Sequence, residues 1–178
     1  MVITGPNQGG KTTFARAVGQ IFYLTSLGLS VPGKEATLTL TDKILTHFEE
    51  EENFTTQKGK LQADIERLHD ILTQATEKSL VIINEIYAST TLSDALKLGN
   101  YMINDIAALK SIAVVVTFMD ELAEHGPETV SMMSNVKSDN SNERTFKIVR
   151  RPPDGNAHAL FIAEKYGLTY DQIKRRLH

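Results

Sequence analysis

The stretch Gly5-Pro6-Asn7-Gln8-Gly9-Gly10-Lys11-Thr12 constrains this chain more than any other part of it. It satisfies G-x-x-x-x-G-K-S/T at every fixed position. Glycines let the backbone fold back until several N–H groups point into one concavity, which binds phosphate oxygens. A helix that follows such a loop brings the positive end of its dipole to the same spot. Lys11 is placed to reach the β- and γ-phosphates as a point charge, and the Thr12 hydroxyl is a ligand for Mg2+. Average residue usage puts a chance match in a chain of 178 residues at about one in a hundred. The context fits as well. The apolar run Met1 to Thr4 precedes the loop, and an amphipathic segment from Lys11 to Leu27 follows it, carrying Phe14, Val18, Ile21, Phe22 and Leu24. That segment stops at Gly28, a good helix end.

Leu80 to Ile83 and Ile112 to Thr117 are further β-branched runs, apolar on both sides, as expected of parallel strands covered on both faces. Between them, Leu61, Ile65, Leu68, Leu72 and Ala75 form one apolar face of a helix from Gly59 to Glu77, and a third helix is expected from Ser93 to Leu109. Alternation in Thr37 to Leu40 and in Arg144 to Val149 predicts more exposed, antiparallel strands. The tail from Asn156 reads as two short helices broken at Gly167. The acidic run Glu49 to Glu52 reads as a solvated edge, and Lys137 to Glu143 as an exposed loop. Strands alternating with helices predict an α/β fold with a mainly parallel central sheet flanked by helices and with antiparallel edge strands.

Composition narrows the setting. The chain suits one domain, 1–178, and its 41% hydrophobic residues suffice for a core. It contains no Cys, which removes disulfides, thiolate zinc sites and thiol nucleophiles. No apolar stretch approaches a membrane span, and no secretory signal is visible, so a cytoplasmic setting without membrane contact is expected. A net charge of −3 argues against a surface that grips DNA all round. The five His residues show no metal-ligand spacing. Arg150-Arg151 and Arg175-Arg176 lack interleaved aromatics and read as solvated surface.

Nucleotide-hydrolysing proteins with such a loop end a neighbouring strand in an Asp that supports Mg2+. In many, the next residue is a Glu that polarises the attacking water. Here the strand ends in Asn84-Glu85. Glu85 is placed as general base. Asn84 can accept a hydrogen bond from a metal-bound water but adds no charge.

The wording of the loop is more particular. Thr4 to Thr13 resembles the T-G-P-N-M-G-G-K-S-T of the MutS family of mismatch-repair ATPases. Gly28-Leu29-Ser30-Val31-Pro32 is similar to its G-x-x-V-P, and Leu40 to Thr46 to its P-I-D-R-I-F-T. The stretch Asn84 to Asp94 is similar to its D-E-I-G-R-G-T-S-T-Y-D, and Asn156 to Leu160 with Gly167 to Tyr170 resembles its closing helices. The resemblance covers nearly the whole chain, as a C-terminal ATPase domain of a longer protein. It implies a P-loop NTPase fold of the ABC-transporter type, with ATP and Mg2+ as cofactors. ATP would be bound through Gly5, Pro6, Asn7, Gln8, Gly9, Gly10, Lys11, Thr12 and Thr13. Thr12 and Asn84 would serve Mg2+, and Glu85 and Lys11 catalysis. It further implies a homodimer with composite sites, and DNA engaged by domains absent from this chain.

Three positions depart from the family pattern. Asn84 replaces its Asp. Gly59-Lys60-Leu61 falls on its S-T-F signature, with Thr55 and Thr56 nearby. Phe118 falls on its switch histidine. Phenylalanine cannot hydrogen-bond a γ-phosphate, and lost site electrostatics cost about 10²-fold or more in rate. Slow turnover is therefore expected. A nucleotide switch with little hydrolysis is the alternative, and a small P-loop kinase a more distant one. Asp64 and Asp94 are candidates to compensate Asn84, and Asp94 reads equally as a helix-start acid or a dimer contact.

Overall fold

The computed structural model describes residues 1–48, 59–136, 144–155, 164 and 166–176. Six strands form one sheet: β1 (Val2–Thr4), β2 (Ile44–His47), β3 (Leu80–Asn84), β4 (Ile112–Val116), β5 (Ser131–Val136) and β6 (Arg144–Arg150). Their order is β2-β3-β4-β1-β5-β6. Every neighbouring pair is parallel except β5 with β6. The helices are α1 (Lys11–Ser26), α2 (Lys60–Gln74), α3 (Leu92–Leu109) and α4 (Tyr170–Arg176), with a short 3-10 turn at Asp120–Glu124.

The period of two along a strand divides the core cleanly. Leu80 and Ile82 of β3, Val114 and Val116 of β4 and Ile3 of β1 pack against Ala15, Phe14, Val18 and Phe22 of α1. Their alternates Val81, Ile83, Val115 and Val2 pack against Leu68 and Ile71 of α2 and Met102, Ile103 and Ile106 of α3. Two-sided burial is why these runs are apolar throughout rather than alternating. Of the expected α2 face, Leu68 is buried and Leu61, Leu72 and Ala75 are partly so. Ile65, however, is 42% exposed, and Ile71, outside that set, is buried, so the inward face is rotated from the expected one. Helix α2 also ends at Gln74 rather than Glu77, because Ala75 is already extended.

Local chemistry sets the ends of the elements. Gly28, at φ 69°, closes α1: Leu29 N–H donates to the Leu24 carbonyl at 3.0 Å and Gly28 N–H to Thr25 at 2.9 Å, the paired bonds of a Schellman motif. Thr91 caps α3 by accepting from Asp94 N–H at 3.2 Å, and its hydroxyl donates to the Asp94 carboxylate at 3.0 Å. Asp94 thus serves at the start of α3, as its helix-start reading expects. Asp42 leads into β2 and accepts from the Thr76 and Ser79 hydroxyls at 2.6 and 2.9 Å. The Thr76 hydroxyl, supported by that of Ser79, holds the Asp42 carboxyl below the ordinary carboxylate range.

One expected strand is corrected. Thr37 to Leu40 form no strand; they are irregular, and Leu40 is 69% exposed. The strand lies further on, at Ile44–His47, and is parallel to β3. Alternating Thr and Leu have the propensity for a strand, but only the segment after the Asp42 anchor finds a partner. Arg144–Arg150 is antiparallel as expected, and its partner β5 is a strand that the sequence did not announce. One tail helix, α4, follows Gly167. The other, with Glu49 to Glu52, Thr55, Thr56 and Lys137 to Glu143, lies outside the described residues.

Ile82 is completely buried at the centre of the sheet, whereas Leu40 is largely exposed. Ile82→Ala should cost about 2–5 kcal/mol in urea denaturation. Leu40→Ala should stay within about 0.5 kcal/mol of the parent.

Candidate functional site

The inner strand β1 feeds the glycine-rich loop directly. Gly5 and Gly10 have φ of 108° and 90°, a region open to glycine and costly for other residues. Gly9 is needed for space: a Cβ there would lie 2.5 Å from Ser134 Oγ and 2.9 Å from the Pro6 carbonyl. Ser134, fully buried on β5, therefore presses against the underside of the loop. Sequence reading did not single it out; its importance comes from the β1–β5 pairing, which sets Thr4 beside Met133.

Lys11 is only 3% exposed, and its ammonium donates to the carbonyls of Gly5 at 2.8 Å and Pro6 at 2.9 Å. It is thereby held across the mouth of the loop. Gly10 occupies the N-cap of α1 with no side-chain cap, and the first turn carries no acidic residue. The N-terminus of α1 therefore carries a field that favours an anion.

On β3 the chain turns sharply. Glu85 and Tyr87 have φ of 54° and 65°, and Glu85 N–H donates to the Val116 carbonyl at 2.9 Å. Tyr87 stands where the D-E-I-G motif has glycine, and its left-handed backbone gives the reason for a glycine there. In this chain a tyrosine takes that conformation and buries its ring in the core formed with α2 and α3. Burial, with the charges of Asp64 and Asp105 adding to it, pushes the Tyr87 phenol up to about 12.

The two arms meet in one cleft of about 190 Å³, lined by Gln8, Gly9, Gly10, Lys11, Thr12, Thr13, Glu85 and Phe146. Gly5 and Pro6 form the back of the loop, and Asn7 points outward, exposed. Asn84 ends β3, is 5% exposed, and its Oδ1 is buried without a hydrogen-bond partner. Phe118, beyond β4, is 50% exposed and does not line the cleft. Gly59 is the N-cap of α2. Neither candidate to compensate Asn84 is free: Asp64 faces His47, with Oδ1 3.5 Å from Nε2, and Asp94 is engaged in the cap of α3. Among the described residues no three His, Asp or Glu side chains converge as a metal cage. Arg151 is committed to the fold, donating to Met133 Sδ at 3.0 Å and pairing with Asp154 at 2.8 Å.

A larger cavity, about 280 Å³, lies at the other end of the sheet, between the starts of β1 and β4 and the end of α3. Ligands of open parallel sheets bind at the carboxyl ends of the strands, where the strand order reverses. Here that point is the end of β1, between β4 and β5, which is where the loop sits.

A mainly parallel α/β sheet whose inner strand runs through a glycine-rich loop into a helix defines a strand–loop–helix α/β domain. Within that class the chain belongs to the MutS family: the family described as MutS domain V matches residues 1–174. It is 28% identical over 178 residues to a DNA mismatch repair protein MutS of Finegoldia magna, with 98% of this chain and 21% of the relative aligned. Proteins of the same name from Chlorobium chlorochromatii and Clostridium botulinum are each 30% identical, again over 98% of this chain and over 20% and 19% of their own lengths. The chain thus spans about a fifth of the length of these curated relatives. No helix among the described residues is long and apolar enough to cross a membrane.

Two outcomes test this geometry. Gly9→Ala should destabilise the fold, and Ser134→Gly in the same chain should restore part of the loss, since one of the close contacts is with that side chain; thermal melting of the single and double variants reads it. The raised phenol of Tyr87 favours the neutral form in the folded state. Its contribution to stability is therefore complete below about pH 10 and is lost as pH rises through about 12. Melting temperature followed from pH 8 upward should fall less steeply in Tyr87→Phe than in the parent.

Proposed function

We propose that this chain is the nucleotide-binding module of a MutS-type protein, binding Mg-ATP and hydrolysing it slowly. The observation that carries the reading is the single cleft in which the loop residues Gln8 to Thr13 meet Glu85. Uncapped α1 amides, a first turn free of acids and a buried lysine ammonium suit a polyphosphate. Lys11 would pass from the Gly5 and Pro6 carbonyls to phosphate oxygens, exchanging two dipoles for a charged partner. Glu85 would orient and deprotonate the attacking water.

The donor set fits Mg2+ as well. Mg2+ keeps several waters and takes few protein ligands beside nucleotide phosphates. The Thr12 hydroxyl would hold it, and the unpartnered Oδ1 of Asn84 would accept from a water on it. When bound, the ion neutralises charge that builds on the phosphates. Asn84 brings no charge to that task, and Phe118 offers no hydrogen bond, which makes the turnover slow. The same two residues favour the second reading, a nucleotide switch in which ATP sets the association of subunits with little hydrolysis.

The relatives are named as DNA mismatch repair proteins, and we assign this chain to that kind of work. In this reading two copies pair through this domain to complete composite sites, and DNA is engaged by regions of such proteins outside the segment that this chain spans.

Phosphate release from Mg-ATP, measured against protein concentration, is the test. Turnover should rise more steeply than linearly and vanish in Lys11→Ala. Asn84→Asp should raise it by about tenfold to a hundredfold. ATP binding without turnover in both the parent and Asn84→Asp would select the switch. Phosphate transfer to an acceptor other than water would overturn both readings in favour of a kinase.

A further inference from the structure

The turn that carries Glu85 is strained twice over. Glu85 and Tyr87, with φ of 54° and 65°, both take left-handed backbone, and neither is a glycine. Residues with a Cβ keep that conformation where the structure around them over-determines it. Here the chain dips into the core between half-buried Glu85 and exposed Ala88. Ile86 is 4% exposed and Tyr87 3%. Both pack in the cluster that Leu68 and Ile71 of α2 form with Met102, Ile103 and Ile106 of α3.

The two side chains of this turn part company. Glu85 lines the cleft with the loop, and Tyr87 does not. The tyrosine ring goes the other way, to the face of the sheet covered by α2 and α3, where its phenol feels the charges of Asp64 on α2 and Asp105 on α3. Glycine, which the D-E-I-G pattern has at this position, would take the backbone without strain but would leave the turn no side chain to hold it. Tyrosine reverses those terms: the strain stays, and the turn gains an anchor in the core. A carboxylate that must meet a water and a phosphate has to be held to within about 0.5 Å, by neighbours that are themselves locked by packing.

We propose that Tyr87 is a positioning residue, whose buried ring bolts the turn after β3 to the core and thereby aims Glu85 at the cleft. It acts through Glu85 and not on nucleotide or water directly. For what Glu85 does once aimed, the proposal rests on the hydrolytic reading above; that Tyr87 holds Glu85 in place does not depend on it.

The test follows amide hydrogen exchange by NMR and steady-state hydrolysis of Mg-ATP in the full chain, in Tyr87→Gly, in Tyr87→Phe and in Met102→Ala. The Glu85 amide, bonded to the Val116 carbonyl, reports the turn, and the Ile82 amide reports β3 itself. Tyr87→Gly should lower protection at Glu85 by about tenfold or more relative to Ile82. Its kcat should fall by about tenfold to a hundredfold, with KM and the Kd for Mg-tripolyphosphate unchanged. Tyr87→Phe, which keeps the ring, should hold both protection and kcat. Met102→Ala removes volume from the same cluster on α3; it should lower protection at Ile82 without singling out Glu85, and leave kcat unchanged. Should Tyr87→Gly fail to fold, Tyr87→Leu keeps apolar volume and should show the same selective loss in smaller measure. Protection at Glu85 that is unchanged, or that falls only in step with Ile82, would overturn the proposal. So would a loss confined to KM, or an unchanged kcat once protection is lost. A parent that binds Mg-ATP without turnover would bring down the hydrolytic reading, while exchange at Glu85 would still decide whether Tyr87 holds it.

Discussion

Burial of β3, β4 and β1 on both faces is the constraint from which the rest follows. Ile3, Leu80, Val81, Ile82, Ile83 and Val116 have no exposed surface at all. Such a sheet must be covered by α1 on one side and by α2 and α3 on the other, and parallel connections supply those helices. Once strand directions agree, the carboxyl ends of β1 and β3 lie on one rim. The glycine loop and Glu85 are the residues that come next in the chain at those ends. The cleft is a product of the core rather than an addition to it.

That origin explains how the site can tolerate departures. The loop is fixed by backbone, through Gly5, Gly9 and Gly10 against Ser134, and by the Lys11 ammonium on two carbonyls. None of these depends on the residue at 84 or 118. A neutral Asn84 brings no charge to the end of β3 and leaves the glycine loop as it was. Tyr87 shows the same independence in reverse: a conformation suited to glycine persists under a tyrosine because the core holds the ring.

Much of this was legible in the sequence. The runs at β1, β3 and β4 declare themselves through β-branched residues apolar on both sides, and α1, α2 and α3 through their apolar stripes. Gly28 carries its end signal locally. The loop and Glu85 were readable because their spacing is set by short-range geometry. What was not legible depends on partners far along the chain. β2 is located by hydrogen bonds that the Thr76 and Ser79 hydroxyls donate to Asp42, so the better local pattern at Thr37 to Leu40 misled. The strand β5, with its Met-Met-Ser-Asn sequence, has weak propensity and exists because β1 needs a neighbour. The alternation of Arg144 to Val149 marked a strand but not its bulge, since a register shift is a property of two strands at once. Ser134 and Phe146 belong to the site only through those pairings.

The position of β1 also sets an order of assembly. Its neighbours are β4 and β5, and the Met1 amine donates to the Ala113 carbonyl, 112 residues away. The strand that carries the loop precedes both of its neighbours in the chain and can be paired with β4 only once more than a hundred residues have followed it. Closing contacts of that separation is slow, because chain entropy is lost before the pairing rewards it. The glycine loop is therefore a late feature of folding, absent from any intermediate that has joined only β2 and β3.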